Sequence, residues 1–408
     1  MYYYKYEDKY LFSKLLLDNL QKANEIDLIN EAEVYYLIKM DPLTSRRGFV
    51  ITSPAQLDSE SEGLDLLYES SSINSLSWIN EKIKKRNIKA INISYQSWMN
   101  ELMSPPSQWR INVMALGDVG SNLCIGLRLS GADISIGIYD RSPEKLKRWN
   151  YELNQIRIPF KESSLPRVRM LKEDELFDCD MFVFCASKGI PPVGSENVDV
   201  RMVQFESNKE IISKYGLLAR ENNFKGIFAV VSDPVDPLCK ALFLESNKDK
   251  DGNFDFKGLA PNQIIGYGLG VMNARASYYS ELIDGPNDYS IDGQVFGPHG
   301  KGLIVVNSMS NYNGSKSDYL TEKTLNANLE VRKLGFKPYI APSLSSGALS
   351  ILATVSGDYF YGSSLMGHVF MGSKMRLTNL GIEIPRYELH PEVIKKLDDT
   401  YKQLRRII

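Results

Sequence analysis

Cysteine and histidine are scarce in this 408-residue sequence, which contains four cysteines and three histidines. The cysteines form no C-x-x-C pair, and three of the four lie in apolar runs (Cys124, Cys179, Cys185 and Cys239). We therefore expect buried free thiols, which suits the reducing cytoplasm. Without a cluster of cysteine and histidine, a structural zinc site is not expected.

A strong charge imbalance and a long apolar run are also missing. The formal net charge is −2, which predicts no broad attraction to nucleic acid or to an anionic membrane. No apolar run approaches the roughly 20 residues that span a bilayer. The first ten residues lack the apolar stretch that is typical of a signal peptide. Apolar residues make up 43% of the chain, as in globular proteins, and its length indicates two or three domains.

The first 104 residues have the pattern of a small α/β domain. Residues 10–23 have helical periodicity. Two strand-like runs follow, at residues 33–40 and 46–52, and the turn residues between them predict a hairpin. Residues 51–75, rich in Ser, Asp and Glu, predict a surface loop with a short helix.

Residues 77–102 complete this domain with a pattern that predicts helix, strand and helix. Pro105 and Pro106 follow, and neither supports a continuing helix. We therefore expect a linker at this point.

From Ile111 onward, short apolar strands alternate with helical segments. Strand, turn, helix and strand within about 30 residues make a βαβ unit. Near-continuous apolar strands alternating with helices predict a parallel sheet covered on both faces. The strand-like runs are residues 111–116, 134–140, 181–186 and 226–232, and residues 390–407 predict a terminal helix.

The turn after the first of these strands carries a glycine pattern, Ala115-Leu116-Gly117-Asp118-Val119-Gly120. This is G-x-G-x-x-G with alanine in place of the first glycine. Gly117 would let backbone N–H groups approach a pyrophosphate, and Gly120 would let the helix pack closely on the strand. The helix N-terminus would supply partial positive charge. We therefore expect a dinucleotide site here, the alternative being a tight turn without a ligand.

Asp140 strengthens this hypothesis because it ends the second strand, about 20 residues further on. A carboxylate at this position accepts hydrogen bonds from a ribose diol and repels a 2′-phosphate. The sequence therefore favours NAD over NADP, although Arg141 would soften that preference.

Three downstream stretches, in order, complete the pattern: residues 231–237 (VSDPVDP), 264–279 (IIGYGLGVMNARASYY) and 297–301 (GPHGK). Together with the glycine turn, they resemble the L-lactate/L-malate dehydrogenase family. The resemblance runs from about Ile111 to Ile408, roughly three quarters of the chain, and includes a closing hairpin and helix. It implies a Rossmann-type doubly wound parallel sheet, followed by an α+β catalytic domain.

The resemblance also implies NAD as the cofactor and a role for several residues. Interconversion of a 2-oxo and a 2-hydroxy acid needs a proton donor at the carbonyl oxygen, a cation for the carboxylate and dipoles for developing oxyanion charge. His299 matches the family's acid/base histidine, Arg275 the arginine that grips the carboxylate, and Arg201 the arginine that polarises the carbonyl. Ala186 and Ser232 would border the cofactor.

Each of these side chains also has an alternative interpretation without a catalytic role. A lone histidine is usually an ordinary surface or core residue. Arg275 would otherwise form a helix-surface or interdomain salt bridge, and Arg201 would be solvated at a helix start.

Two positions depart from the family pattern. Met272 stands where the family has the aspartate that holds its histidine, and a thioether cannot stabilise imidazolium. Asp233 stands where the family has an asparagine near the reacting oxygen. Asp233 would supply the missing negative charge to His299 or favour a cationic amine or imine substrate. Its alternative is a turn residue before Pro234.

The segment after Ser187 is about six residues longer than the family pattern before Arg201, and Lys188 is its only cation. A longer lid suggests a bulkier substrate and argues against oxaloacetate.

Two functions of different classes stay open. The first is an NAD-dependent oxidoreductase acting on a 2-oxo or 2-hydroxy carboxylate, or on a related imino or amino acid. The second is a catalytically degraded, NAD-binding regulatory or partner-binding protein. A relative that uses NAD for glycoside cleavage is a distant third, because the expected Cys/His metal site is missing.

We expect three domains: residues 1–106, an α/β domain of unknown role; residues 107–264, the NAD-binding domain; and residues 265–408, the substrate domain. The implied partners are a small carboxylate substrate and further copies of the chain in a homodimer or tetramer. Nucleic acid and membrane are not expected, and the N-terminal domain is a candidate for binding a partner or peptide.

Overall fold

The computed structural model of the protein describes residues 1–68, 76–161, 164–188, 200–283 and 287–408, with the backbone alone for residues 200–203. Two large sheets and a small two-stranded sheet organise these residues. None of the helices in these ranges is long and apolar enough to cross a membrane.

The first sheet has six strands, in the order β3-β1-β2-β4-β6-β5. Strands β2, β4 and β6 are parallel, and the other neighbours pair antiparallel. The strands are β1 Tyr2–Tyr6, β2 Lys9–Ser13, β3 Gln21–Lys22, β4 Val34–Ile38, β5 Gly48–Val50 and β6 Ile88–Asn92, and the helices are α1 Glu25–Asn30 and α2 Ser77–Lys84.

Two predictions for this region are wrong. Residues 10–23 form no helix: they begin as β2, in which Leu11 and Phe12 are fully buried beside β1. The strands predicted at residues 33–40 and 46–52 exist as β4 and β5, but β6 lies between them, so they form no hairpin. In both cases, non-local strand pairing overrides the local pattern.

The prediction of a surface loop at residues 51–75 is only partly right, because Ile51, Leu57 and Leu67 are buried in hydrophobic cores. Short 3₁₀ turns occupy Pro54–Leu57 and Leu64–Leu66 of the Ser-rich segment, whose residues 69–75 lie outside the described ranges. Helix α2, strand β6 and a 3₁₀ turn at Trp98–Leu102 give the predicted order of helix, strand and helix.

The second sheet has nine strands, in the order β17-β16-β15-β12-β11-β10-β7-β8-β9. Six of them are parallel, namely β9, β8, β7, β10, β11 and β12 in sheet order. Strands β15, β16 and β17 extend the sheet antiparallel. The strands from β7 onward are β7 Trp109–Met114, β8 Ile134–Tyr139, β9 Val168–Met170, β10 Met181–Phe184, β11 Ile227–Val230, β12 Ile264–Gly266, β13 Gln294–Phe296, β14 Ile304–Val306, β15 Phe360–Met366, β16 Val369–Thr378 and β17 Gly381–Glu383.

Helices connect these strands, as the apolar runs predict, and the doubly wound parallel sheet is confirmed. The order β9-β8-β7-β10-β11-β12 is that of two βαβαβ halves that meet between β7 and β10. The helices are α3 Asp118–Leu129, α4 Pro143–Gln155, α5 Val200–Glu221, α6 Val235–Ser246, α7 Leu269–Ser280, α8 Tyr289–Asp292, α9 Gly314–Lys333, α10 Leu349–Ser356 and α11 Pro391–Leu404.

Core residues cover both faces of the parallel sheet. In β10, Met181 and Val183 join one hydrophobic cluster, whereas Phe182 and Phe184 join another with α5 and α6. Each of these side chains is fully buried. The near-continuous apolar character of the strand therefore reflects burial on two sides.

The six-stranded sheet packs on the nine-stranded one. Leu66 and Leu67 belong to the core of the larger sheet, and Leu380 belongs to the core of the smaller one. The buried carboxylate of Glu101 accepts hydrogen bonds from Arg47, 2.8 Å away, and from Asn262, also 2.8 Å away. The two sheets therefore share apolar and polar contacts, and the division into three domains stays a prediction.

Candidate functional site

Four parallel strands end at one edge of the large sheet, and the residues that follow them form the site. Ala115 follows β7, Asp140 follows β8, and Ala186 and Ser232 come two residues after β10 and β11. In open α/β sheets, ligands bind in the crevice outside these carboxyl ends, where the strand order reverses.

The glycine turn between β7 and α3 brings backbone very close to backbone. A Cβ at Gly120 would lie 2.1 Å from the carbonyl oxygen of Ala115, so only glycine fits there. A Cβ at Gly117 would meet nothing within 4 Å, so this side of the turn is open. No side chain of the described residues caps the N-terminus of α3, so its first N–H groups lack a side-chain cap.

Asp140 ties the ends of β7 and β8 together. Its carboxylate accepts hydrogen bonds from the backbone N–H of Leu116, 2.8 Å away, and of Ser142, 3.0 Å away. The ammonium of Lys145 lies 3.6 Å from the same carboxylate. Because each carboxylate oxygen accepts more than one hydrogen bond, Asp140 can still accept from a ligand.

Asp118, the first residue of α3, forms an exposed ion pair with Lys337, whose Nζ lies 3.2 Å from the carboxylate. This pair brings the loop that follows α9 beside the glycine turn. The negative charge of Asp118 lies at the N-terminus of α3, the end that would face a phosphate. The positive charge of Lys337 offsets it.

Asn208 joins the loops that follow β10 and β11, and the sequence analysis did not single it out. Its fully buried amide donates to the carbonyl oxygen of Asp233, 2.7 Å away, and to Ser187 Oγ, 3.2 Å away. It accepts from the backbone N–H of Lys188 at 2.9 Å. A polar residue on the buried face of a helix is the only signal in the sequence.

Ser232 adds a second link between the same two loops, because its hydroxyl donates to the carbonyl oxygen of Ala186 at 2.6 Å. The structure therefore brings these two predicted cofactor-site residues into direct contact.

His299 lies in the turn between β13 and β14. Gly297 and Gly300 flank it with φ angles of 95° and 147°, which favour glycine. His299 Nδ1 lies 3.0 Å from Asp233 Oδ1, and the side chains of His299 and Asp233 are 15% and 53% exposed. The structure therefore brings the histidine together with the carboxylate that departs from the family pattern.

Asp236 fixes the turn that carries His299. Its buried carboxylate accepts a hydrogen bond from the backbone N–H of His299, 3.0 Å away, and from the Ser363 hydroxyl of β15, 2.7 Å away. Burial raises the pKa of Asp236 to about 6, and the hydrogen bond from Ser363 opposes this rise. Asp236 stands in the VSDPVDP motif, but the sequence gave no reason to assign it this role.

Arg275 lies on α7, where it is partly buried beside Met272. Its Nη1 is 3.8 Å from Met272 Sδ, and no ion pair of its guanidinium is found within the described ranges. Burial lowers the pKa of Arg275, and the negative charge of Asp233 opposes this effect. The charges of Arg275 and Asp233 therefore interact, and the apolar side chain of Met272 lies beside the guanidinium.

Arg201 is the second residue of α5, and its side chain lies outside the described part of the structure. The predicted long lid between Lys188 and Arg201 falls mostly on residues 189–199, which also lie outside it. Lys188 itself pairs with Glu210 at 2.8 Å on the surface of α5.

We predict that Ser363→Ala destabilises the protein more at pH 8 than at pH 5. The folded-state pKa of Asp236 is raised, so its contribution to stability is fully present below about pH 4, its unfolded pKa, and is lost as the pH rises through about 6. Above that pH the ionised carboxylate depends on the Ser363 hydroxyl, and its loss costs about 1.5–3 kcal/mol. Urea unfolding at both pH values measures the difference.

Ser364→Ala is the matched control. Ser364 is equally buried, but its hydroxyl has no hydrogen-bond partner in the part of the chain that the structure describes. A Ser363→Ala cost that is the same at pH 5 and pH 8 would contradict the role given to Asp236.

No family model matches the chain. The L-lactate dehydrogenase of Macrococcus caseolyticus is 26% identical over 227 residues, which are 55% of this chain and 64% of that enzyme. The aligned part thus spans less than two thirds of the length of this curated relative.

Solved structures give a longer match. A lactate dehydrogenase from a Medee basin deep-sea metagenome library superposes with a TM-score of 0.58 and 18% identity, over 75% of this chain and 98% of that one. The malate dehydrogenase of Archaeoglobus fulgidus in complex with NADH gives a TM-score of 0.59 and 19% identity, over 73% and 98%.

The matches cover about three quarters of the chain, as the sequence motifs predict, and nearly the whole of each enzyme structure. The low identity agrees with the altered positions at Met272 and Asp233. The chain is thus similar in sequence to L-lactate dehydrogenases, and it shares the fold of lactate and malate dehydrogenases.

Proposed function

We propose that the protein is an NAD-dependent oxidoreductase that interconverts a 2-oxo and a 2-hydroxy carboxylate, or a related imino and amino acid. The contact between His299 and Asp233, 3.0 Å long, carries the proposal. It gives the histidine a charged partner at the carboxyl edge of the sheet, beside the glycine turn. The likeness to lactate and malate dehydrogenases supports the same class of reaction.

The glycine turn fits a dinucleotide in its details. The open space at Gly117 would admit a pyrophosphate, the uncapped N-terminus of α3 would donate backbone N–H groups to it, and Asp140 would accept from the adenosine ribose. When bound, NAD supplies or accepts the hydride. The chain's own residues bind the substrate and move the proton.

His299 would exchange that proton through Nε2. Because Nδ1 faces Asp233, the carboxylate orients the ring so that Nε2 is left to donate to a carbonyl or imine. Asp236 holds the backbone of His299 from the opposite side of the turn. Together the two carboxylates fix the position and the orientation of the imidazole.

Arg275 would anchor the substrate carboxylate. Its guanidinium is partly buried, and within the described residues it has no ion pair, so a two-point carboxylate pair would stabilise it in a setting of reduced solvation. The apolar Met272 beside it would shield this pair from water.

Asp233 bears on the choice of substrate. A negative charge beside the reacting oxygen opposes developing oxyanion charge, which disfavours fast reduction of simple 2-oxo acids. The same charge attracts a cationic amine or imine. We therefore expect pyruvate and oxaloacetate to be poor substrates.

We predict that wild-type protein binds NADH in preference to NADPH and that Gly117→Ala weakens this binding about tenfold or more, a loss of about 1.4 kcal/mol per factor of ten. The added methyl group occupies space that is open in the protein, so stability should stay within about 0.5 kcal/mol of wild type. Calorimetric titration and urea unfolding measure the two effects.

Gly120→Ala provides the contrast, because its methyl group meets the carbonyl oxygen of Ala115 and should cost both stability and NADH affinity. Absence of NADH binding at millimolar concentration, or a clear preference for NADPH, would refute the cofactor assignment.

We predict that Arg275→Leu weakens substrate binding by about 2–5 kcal/mol, because the carboxylate loses a charge-assisted pair. The expected result is a large rise in KM, with NADH affinity unchanged. Arg275→Lys keeps the charge but not the planar guanidinium. Its KM should therefore fall between those of the wild type and Arg275→Leu. Normal turnover of the substrate by Arg275→Leu would make the assignment wrong.

We predict that Asp233→Asn lowers kcat for reduction more than it changes KM. The charged partner that orients the imidazole of His299 is lost, so the ring is held less firmly in the position for proton transfer. Met272→Asp returns a carboxylate to the family's position and should raise activity on simple 2-oxo acids.

An unchanged kcat in Asp233→Asn, or fast pyruvate reduction by the wild type, would overturn the role of Asp233. NADH binding without redox activity in any variant would instead favour an NAD-binding regulatory protein, the function that the loss of the family aspartate at Met272 supports.

A further inference from the structure

A small polar cavity lies between α6, the β15–β16 turn and the end of α11, next to the candidate active site. Asp236 and Lys240, one helical turn apart, form its wall on α6, and His368 of the β15–β16 turn and Leu404 at the end of α11 line it too. Asp236 separates this cavity from His299, because its carboxylate binds the backbone of the histidine. The cavity is thus distinct from the space in front of the imidazole.

Lys240 is unusual for a lysine because only 7% of it is exposed. Its Nζ lies 5.4 Å from the centre of the Phe243 ring, and its ammonium forms no ion pair with the described part of the chain. Asp41 is the acid that acts on it electrostatically, but Asp41 Oδ1 accepts a hydrogen bond from the N–H of Leu43. Burial lowers the pKa of Lys240 to about 8.

A second basic side chain, His368, lines the same cavity. Burial and the positive charges of Arg405 and Lys240 lower the pKa of His368, with Asp41 opposing them. The backbone of His368 is fixed, because its N–H donates to the hydroxyl of Tyr401 at 3.0 Å. Two basic side chains therefore face one cavity, where the opposing acids are Asp41 and the deeply buried Asp236.

The enclosed volume is about 10 Å³, room for one water-sized group, and the cavity opens to solvent. A ligand that reaches Lys240 must therefore offer a single small atom there and carry the rest of its charge toward His368 and the solvent. An oxygen of a tetrahedral oxyanion meets both requirements.

We propose that this cavity binds phosphate, free or as a monoester, with one oxygen on Lys240 and the others facing His368 and the solvent. A buried cation without a partner is costly, and an anion would remove that cost. The site is independent of the proposed reaction, because neither His299 nor Arg275 takes part in it.

Titration of the full chain with sodium phosphate, against sodium chloride at equal ionic strength, tests the proposal. We expect phosphate to raise the melting temperature and to shift the imidazole NMR signals of His368, which are assignable because the chain has only three histidines. Lys240→Met should abolish both effects. Without phosphate, Lys240→Met should be at least as stable as the wild type, because an apolar stem replaces a buried charge.

Lys225→Met, which removes an exposed lysine, is the matched control and should respond to phosphate as the wild type does. Arg275→Leu should also keep the phosphate response, which separates this cavity from the proposed substrate site. Tighter binding of methyl phosphate than of inorganic phosphate would identify a monoester as the ligand, and the reverse order would identify free phosphate.

An equal phosphate response in Lys240→Met and the wild type would overturn the proposal, as would a wild-type response no larger than that to chloride. Loss of the response in Arg275→Leu would assign the phosphate to the substrate site instead.

Discussion

The buried carboxylate of Asp236 is the contact on which the site depends. It joins three elements that are distant in sequence: α6, the turn after β13 and the strand β15. Because one oxygen holds His299 and the other holds Ser363, the histidine turn is fixed against the large sheet. A group that is both buried and hydrogen-bonded from two sides leaves the turn little freedom. The proposed chemistry of His299 rests on this fixed backbone.

The second feature of the site is the position of its negative charge. The partner of His299 is Asp233, at the end of a parallel strand, and the helix position that the family uses is the apolar Met272. This shift leaves the imidazole with a charged neighbour, but it places that charge on the side where substrate oxygen would react. The same carboxylate acts on Arg275. Proton transfer and substrate choice are therefore coupled through one side chain.

Two oppositely charged side chains of α6, Asp236 and Lys240, line the cavity beside the histidine turn. Asp236 also holds the backbone of His299, whereas Lys240 shares the cavity with His368 of the β15–β16 turn. Asp41, in the loop after β4, acts electrostatically on both basic groups. The N-terminal region thus contributes to the electrostatics behind the site, in addition to its apolar and polar contacts with the large sheet.

The sequence alone determined the apolar strands, the glycine turn and Asp140. It also determined the motifs that contain Asp233, Arg275 and His299. Each of these features depends on a local pattern or on spacing along the chain. Only the tertiary structure decided that residues 10–13 pair as a strand, that β6 separates β4 from β5, and that Asn208, Asp236 and Ser363 support the site. The physical reason is the same in each case: these residues act through partners up to 127 positions away, and one sequence does not reveal which distant groups will meet.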